Sequence, residues 1–358
     1  MALRCALIGI PSSGKTVIFN AITSAKAPLF GGTETNRVIV NLPDERMDRL
    51  VEMYHPRKVV PATLEIVDTP GFRPEDTGRR SRLIGNIKDN EALIHIVRCF
   101  EDEQVPFEHA TINPVRDIET VDLEMMASDS ATLQAKLDRL AKKAKSGDKD
   151  AVRETANCQK VLAAIKEGVP ARRQELSPQE AASIKECNLV SSKPVLYIAN
   201  IKSMSEANNK HVAAVKSFAE KDKTEALVVC GKDEADIAEL DPADREVFMK
   251  ELGIEKSTVE RLLQAAYLKL GLITFFTVGE DEVRAWTCRR GDKAPVAAGK
   301  IHSDMEAGFI RMEVMKYADL MELGSEAALA KAGKQHLEGR EYEVQDGDIV
   351  TVRFNAGR

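Results

Sequence analysis

Paired cysteines are missing. Six cysteines (Cys5, Cys99, Cys158, Cys187, Cys230, Cys288) are scattered through 358 residues, none in a Cys-x-x-Cys pair. That spacing excludes the usual zinc-binding pattern and points to reduced thiols rather than a disulfide framework. Aromatic residues make up only 5% of the chain, with the single tryptophan Trp286, too few for a protein built on base- or sugar-stacking platforms. Trp286 lies in a β-rich segment and reads as core. No apolar run approaches the roughly 20 residues needed to cross a bilayer. The chain enters a strand-like segment directly, without a signal-peptide pattern, so the expected setting is the cytoplasm with no membrane contact. Charge is nearly balanced, 51 Lys and Arg against 57 Asp and Glu for a net −6; attraction to nucleic acid has to come from a local patch. Internal repeats and low-complexity stretches are also absent.

What is present fills two or three domains. Residues 3–9 read as a buried strand, and Thr16–Ile22 carries Val17, Ile18, Phe19 and Ala21 at helical spacing. Further strands are expected at Val38–Leu42, Thr63–Val67, Ala92–Val97, Val195–Ala199 and Ala226–Val229, alternating with helices. Apolar central strands alternating with helices predict an α/β fold, a mostly parallel sheet covered on both faces. The alternation breaks between about residue 125 and residue 190. Leu133, Leu137, Leu140 and Ala144 form one helical stripe, Ser146-Gly147-Asp148 a turn, and Ala151, Thr155, Cys158, Leu162 and Ile165 a second stripe. This predicts an inserted helical hairpin, a short antiparallel coiled coil. Its tip is basic, with seven Lys and Arg against three Asp between Lys136 and Arg153: either a solvated face or a contact for RNA or an acidic partner. From Thr274 onward short β segments (Thr274–Val278, Arg284–Thr287, Phe309–Val314, Ile349–Phe354) predict a small α+β domain. The expected division is 1–127 with 190–273, an insert at 128–189, and 274–358.

The run Gly9-Ile10-Pro11-Ser12-Ser13-Gly14-Lys15-Thr16 matches G-x-x-x-x-G-K-[ST] in strand–loop–helix context. Gly9 permits the sharp turn, and Gly14 lets the backbone approach a phosphate. In the run Pro11 to Val17 the successive N–H groups from Ser12 onward, at a helix start, make an anion-binding concavity, with Pro11 contributing no donor. Lys15 can reach β- and γ-phosphates, and the Thr16 hydroxyl can ligate Mg²⁺. The expected ligand is therefore a nucleoside triphosphate, ATP or GTP, with Mg²⁺. A second element, Ile66-Val67-Asp68-Thr69-Pro70-Gly71, is an apolar strand ending in D-x-x-G. Asp68 would hold Mg²⁺ through a water, and the Gly71 N–H would sense the γ-phosphate. Phe72 follows, where Ras-like GTPases carry a water-orienting glutamine. The chain therefore hydrolyses slowly, imports a water-positioning group, or binds without turnover. Third, Asn200-Ile201-Lys202-Ser203 stands where N-K-x-D would read a base. Ser203 replaces the carboxylate that discriminates guanine, so strict GTP specificity loses its physical basis. Cys230-Gly231-Lys232 follows the next strand, with Lys232 able to lie along the base. A small-molecule kinase would need neither these base loops nor the tail.

On these motifs and on Pro43–Leu50, Val97–Glu101, Pro114–Glu119, Leu140–Asp148, Leu272–Thr277, Glu282–Thr287 and Gln345–Asp348, nearly the whole chain resembles the YchF family of Obg-related P-loop proteins. The resemblance implies a G domain interrupted by the hairpin and a C-terminal TGS (ubiquitin-like) domain. It also implies ATP as the preferred nucleotide, slow hydrolysis, ribosome association and a hydrophobic residue after D-x-x-G, which Phe72 supplies; the expected assembly is a monomer or weak dimer. Several positions depart from the family pattern. Ser12-Ser13 stand for Asn-Val, and Val17 for a hydroxyl residue. Gly32 aligns with a switch threonine, for which Thr33 or Thr35 is the substitute metal ligand. Thr69-Pro70 stands for Ile-Ala, and Ser203 for Glu. Phe107 stands for a histidine, leaving His109, two residues on, as the water-positioning candidate beside Lys15. The chain reads as a divergent paralogue. His55, His95, His211, His302 and His336 read as structural.

Overall fold

A computed structural model describes residues 3–23, 36–72, 77–107, 109–241 and 258–355, with isolated positions 244, 247 and 249. In chain order the strands are β1 (Leu3–Ile8), β2 (Asn36–Asn41), β3 (Lys58–Val60), β4 (Thr63–Asp68), β5 (Ala92–Arg98), β6 (Val195–Asn200), β7 (Ala226–Val229), β8 (Leu272–Thr277), β9 (Glu282–Arg289), β10 (Phe309–Lys316), β11 (His336–Glu338) and β12 (Asp348–Phe354). The helices used below are α1 (Lys15–Thr23), α2 (Glu45–Tyr54), α3 (Thr77–Lys88), α4 (Pro114–Lys145), α5 (Lys149–Lys166), α6 (Pro178–Ile184), α7 (Lys210–Lys221) and α8 (Gly231–Glu239).

The chain divides into two compact units, one of residues 1–40 and 65–262, the other of 41–64 and 263–358. The first carries a six-stranded sheet in the order β2-β4-β1-β5-β6-β7. β1, β5, β6 and β7 run parallel, with Leu7 opposite Ile94 and Ile96 opposite Ile198. β5 and β6 are buried at every position, as expected of central strands with both faces covered. One core spans Ala6, Ile8, Val67, Phe72, Leu93 and Val97 of the sheet region and Ile118, Val121, Val212 and Val215 of the flanking helices.

The hairpin forms, but its first helix starts earlier than the leucine stripe indicates. α4 runs 32 residues from Pro114, capped by the Asn113 side chain on the Arg116 N–H. Proline after a capping Asn is a helix-start signal. Ile118, Val121 and Met125 of α4 enter the sheet's core, whereas Met126, Leu133 and Leu137 pack with Cys158, Val161 and Leu162 of α5. One helix therefore serves two cores, and its two stripes read separately in the sequence. The turn is as expected: Gly147 takes φ +84, and Asp148 caps α5 through the Asp150 and Ala151 N–H groups. The basic tip is smaller than the residue tally. Lys136 is buried, donating to the Ser183 carbonyl and paired with Glu154 and Glu186, and Arg153 pairs with Asp150. Arg139, Lys142, Lys143, Lys145 and Lys149 are exposed.

In the second unit a six-stranded sheet has the order β11-β10-β12-β8-β9-β3. The hairpin β8–β9 and the pair β10–β12 are antiparallel, and β12 lies parallel to β8. Phe275, Cys288, Met312, Val314 and Val350 centre its core, with Trp286 packed at the edge. Residues 41–64 correct the expected boundary. Sequence order assigns them to the first domain, yet β3 pairs with β9, matching Lys58 with Glu282. Arg46 of α2 also bonds Asp346 at 2.8 Å and lies 5.4 Å over the Phe276 ring. A three-residue strand carries too short a pattern to announce its partner.

Candidate functional site

The loop Gly9–Thr16 leaves the carboxyl end of β1 and opens α1. Gly9 takes φ +145, and a Cβ there would stand 2.4 Å from the Ile96 carbonyl; Gly14 takes φ +95, with the Asn200 amide 2.1 Å from its missing Cβ. Both glycines are demanded by conformation and by space. Lys15 is 6% exposed and folds back to donate to the Gly9 and Ile10 carbonyls at 3.2 and 2.7 Å. Burial lowers its pKa to about 8, against the opposing pull of Asp68. Ser13 is buried with a hydroxyl that has no partner. Pro11 packs against Gly71, where a Cβ would meet the Pro11 nitrogen at 2.7 Å.

Asp68, at the end of β4, comes to this loop as expected: the Thr16 hydroxyl donates to its Oδ2 at 3.1 Å. Its Oδ1 is buried without a hydrogen-bond partner of ordinary geometry, although the Asn36 side chain favours its charged form. Burial raises the Asp68 pKa, opposed by Lys15, Thr16 and Asn36. A hydroxyl and a carboxylate with one vacant buried oxygen are hard oxygen donors of the kind that suit Mg²⁺. Phe72 donates its N–H to the Gly9 carbonyl at 3.1 Å and buries its ring in the core. It offers no polar group to a water.

The base-side residues are drawn together differently from a simple reading. Asn200 Nδ2 donates to the Ser13 carbonyl at 2.9 Å, and its Oδ1 accepts from the Gly231 N–H at 3.1 Å. Asn200 thus fastens the phosphate loop to the loop of Cys230-Gly231-Lys232. Ile201 is a core residue. The Cys230 thiol donates to the Lys202 carbonyl at 3.1 Å, and Lys232 is exposed. Ser203 caps a short 3-10 turn through the Ser205 N–H, and Lys202 pairs with Asp102 at 3.2 Å. Asn200→Asp is expected to weaken nucleotide binding at least tenfold in a titration, about 1.4 kcal/mol, because a carboxylate oxygen would face the Ser13 carbonyl.

His109 is exposed and makes an edge-on contact with Phe107, centroids 5.5 Å apart. Thr33 and Thr35, with Gly32, lie outside the described residues. The sequence reading missed Arg98, buried behind the loop with a guanidinium nitrogen 3.2 Å from the Ser12 carbonyl. Its signal was an arginine closing a fully buried central strand that is apolar apart from His95.

A parallel sheet whose first strand feeds this loop into a helix, with an Asp at the end of a neighbouring strand, defines a P-loop nucleotide-binding domain of the GTPase type. A family model described as 50S ribosome-binding GTPase matches residues 4–127, and one for the C-terminal region of YchF GTPases, described as a protein of unknown function, matches 272–355. The Bacillus subtilis ribosome-binding ATPase YchF is 40% identical, over 99% of this chain and all of that protein. Obg-like ATPase 1 of rice is 34% identical, over 99% of this chain and 92% of that protein. The solved Schizosaccharomyces pombe YchF GTPase superposes with a TM-score of 0.85 at 28% identity, covering 98% and 97% of the two chains. The chain belongs to the YchF family.

Proposed function

We propose that this chain is a slow, Mg²⁺-dependent nucleoside triphosphatase of the cytoplasm whose nucleotide state governs its association with the ribosome. The observation that carries the reading is the meeting of Thr16 with Asp68, whose second oxygen is unpartnered, beside a buried Lys15. Lys15 exchanges its two carbonyl partners for β- and γ-phosphate oxygens, and the N–H groups at the start of α1 hold the remaining oxygens. Thr16 and Asp68 would hold the cation, and the expected third protein group, Thr33 or Thr35, lies outside the described residues. There Mg²⁺ would supply charge neutralisation for the phosphates. Gly71, kept against Pro11, presents its N–H to the γ-phosphate.

Turnover is slow because Phe72 cannot orient water; His109 is the group that would. A nucleotide-gated binder with negligible hydrolysis is the second reading, favoured by the burial of the Phe72 ring. Turnover of purified protein with ATP and Mg²⁺ separates the two. Relatives bearing the name ribosome-binding ATPase support ATP and the ribosome as partners. The exposed cations at the hairpin tip and a TGS-type C-terminal unit supply the contacts, and the protein acts as a monomer or weak dimer.

Base choice is the sharpest test. Ser203 is spent on capping a turn, so ATP and GTP affinities measured by calorimetry are expected to differ by about tenfold or less, roughly 1.4 kcal/mol. Ser203→Asp is expected to shift the balance toward GTP. A hundredfold preference in the wild type would sink this part of the reading.

A further inference from the structure

Arg98 closes β5, is 2% exposed, and makes no ion pair among the described residues. The carboxylates whose charge acts on it, Asp102 and Asp117, are paired with Lys202 and Arg116 at 3.2 and 2.7 Å. Among the described residues every hydrogen bond it makes goes to a main-chain carbonyl. Nε donates to Phe100 at 3.2 Å, Nη1 to Ser12 at 3.2 Å and Val105 at 3.5 Å, and Nη2 to Asp102 and Val105 at 3.4 Å. The Phe100 and Phe107 rings lie on the guanidinium, 4.4 and 4.6 Å from their centroids. A planar, forked cation held by two rings and four carbonyls has little freedom to move.

Its bond to Ser12 has a consequence for the phosphate loop. Ser12 has φ +59, a left-handed conformation that costs a residue with a Cβ. A trans peptide is planar, with its C=O and N–H pointing in opposite directions. Pinning the Ser12 carbonyl toward Arg98 therefore turns the Ser13 N–H away from Arg98. The next carbonyl, that of Ser13, is pinned in the same manner by Asn200 at 2.9 Å, which orients the Gly14 N–H. Two successive peptides are fixed from behind by two side chains, one from β5 and one from β6.

From this geometry we infer that Arg98 is a positioning residue of the phosphate site. It orients the Ser13 N–H for a phosphate oxygen and adds behind it a positive charge that forms no ion pair among the described residues. It also ties the loop to residues 100–107. The inference rests on the reading of Gly9–Thr16 as the phosphate site. The test is titration of a fluorescent ATP analogue with Mg²⁺ into wild type, Arg98→Lys, Arg98→Met and Lys15→Met, recording both Kd and binding stoichiometry. Arg98→Met is expected to raise Kd at least tenfold and Arg98→Lys about threefold, each at the wild-type stoichiometry. Damage to folding alone would instead lower the stoichiometry and leave Kd in place. Arg98→Lys keeps the charge and decides the matter if Arg98→Met does not fold. Binding by the Arg98 variants within twofold of wild type, or a loss confined to stoichiometry, overturns the inference. Wild type that does not bind, or Lys15→Met that binds as well as wild type, overturns the phosphate-site reading beneath it.

Discussion

Lys15→Met is expected to weaken triphosphate binding at least a hundredfold while leaving the ligand-free protein as stable as the wild type or more so. The loss of binding follows from removing the one cation that the loop itself carries; a hundredfold is about 2.7 kcal/mol. The stability effect follows from burial. Among the described residues the ammonium's hydrogen-bond partners are two carbonyls, and burial lowers its pKa from 10.5 to about 8. A depressed lysine pKa is a cost to the folded state. The cost is complete below pH 8, where both folded and unfolded forms are charged, and disappears as pH rises toward 10.5. It is of order 3 kcal/mol at most, and the two carbonyl bonds offset part of it. Denaturant titrations of wild type and Lys15→Met at pH 7 and pH 10 should therefore converge at the higher pH. Nucleotide binding should move the other way: above pH 8 the lysine must take up a proton to meet a polyanion, so affinity should fall up to tenfold per pH unit. Binding that is flat between pH 7.5 and 9.5 would show that Lys15 remains charged throughout.

The second large effect concerns stability alone. Asp222→Ala is expected to cost about 3–5 kcal/mol, the range for breaking a buried ion pair from one side. Asp222, at the end of α7, accepts from Arg172 at 3.1 Å and from Arg173 and the Tyr197 hydroxyl. Arg172 also bonds both oxygens of Asp122 in α4, at 2.8 and 2.6 Å. Arg172, Asp122 and Asp222 are almost wholly buried and Arg173 is partly so, so removing one carboxylate leaves two guanidinium groups short of charge. Burial works to raise the Asp222 pKa, but the Arg173 bond and the Arg172 charge outweigh it and hold the carboxyl below its ordinary range. A depressed carboxylate stabilises above its unfolded pKa of about 3.9 and stops doing so as pH falls through the folded value. The deficit of Asp222→Ala should be constant from pH 5 to 8 and shrink below pH 4. Chemical denaturation across that range checks both the size and the pH course.

The phosphate loop was legible because its parts are neighbours in the chain. Gly9, Gly14, Lys15 and Thr16 act through local backbone geometry, which the residue types dictate directly. Asp68 was legible despite lying 52 residues from Thr16, because an apolar strand followed by D-x-x-G places its own end at the loop. Strand positions in the central sheet were read to within a residue or two, since strands covered on both faces leave mostly apolar runs. Arg98 was not legible. Its work lies in hydrogen bonds to carbonyls, and a carbonyl partner leaves no mark in the sequence. Lys136 was counted with the basic tip for a similar reason: nothing local shows that it turns inward to Glu154 and Glu186.

The sequence alone thus determined the α/β class, the phosphate loop, the Asp that faces it and the helical hairpin, all of which rest on local pattern or short-range backbone demand. Tertiary structure decided the rest. It sent residues 41–64 to the second unit through the pairing of β3 with β9, and gave Asn200 to the Ser13 carbonyl and Gly231. It also set Arg98 behind Ser12. Each of these depends on which distant main-chain group comes to lie opposite a side chain. Every residue offers the same N–H and C=O, so only the packed fold selects the partner.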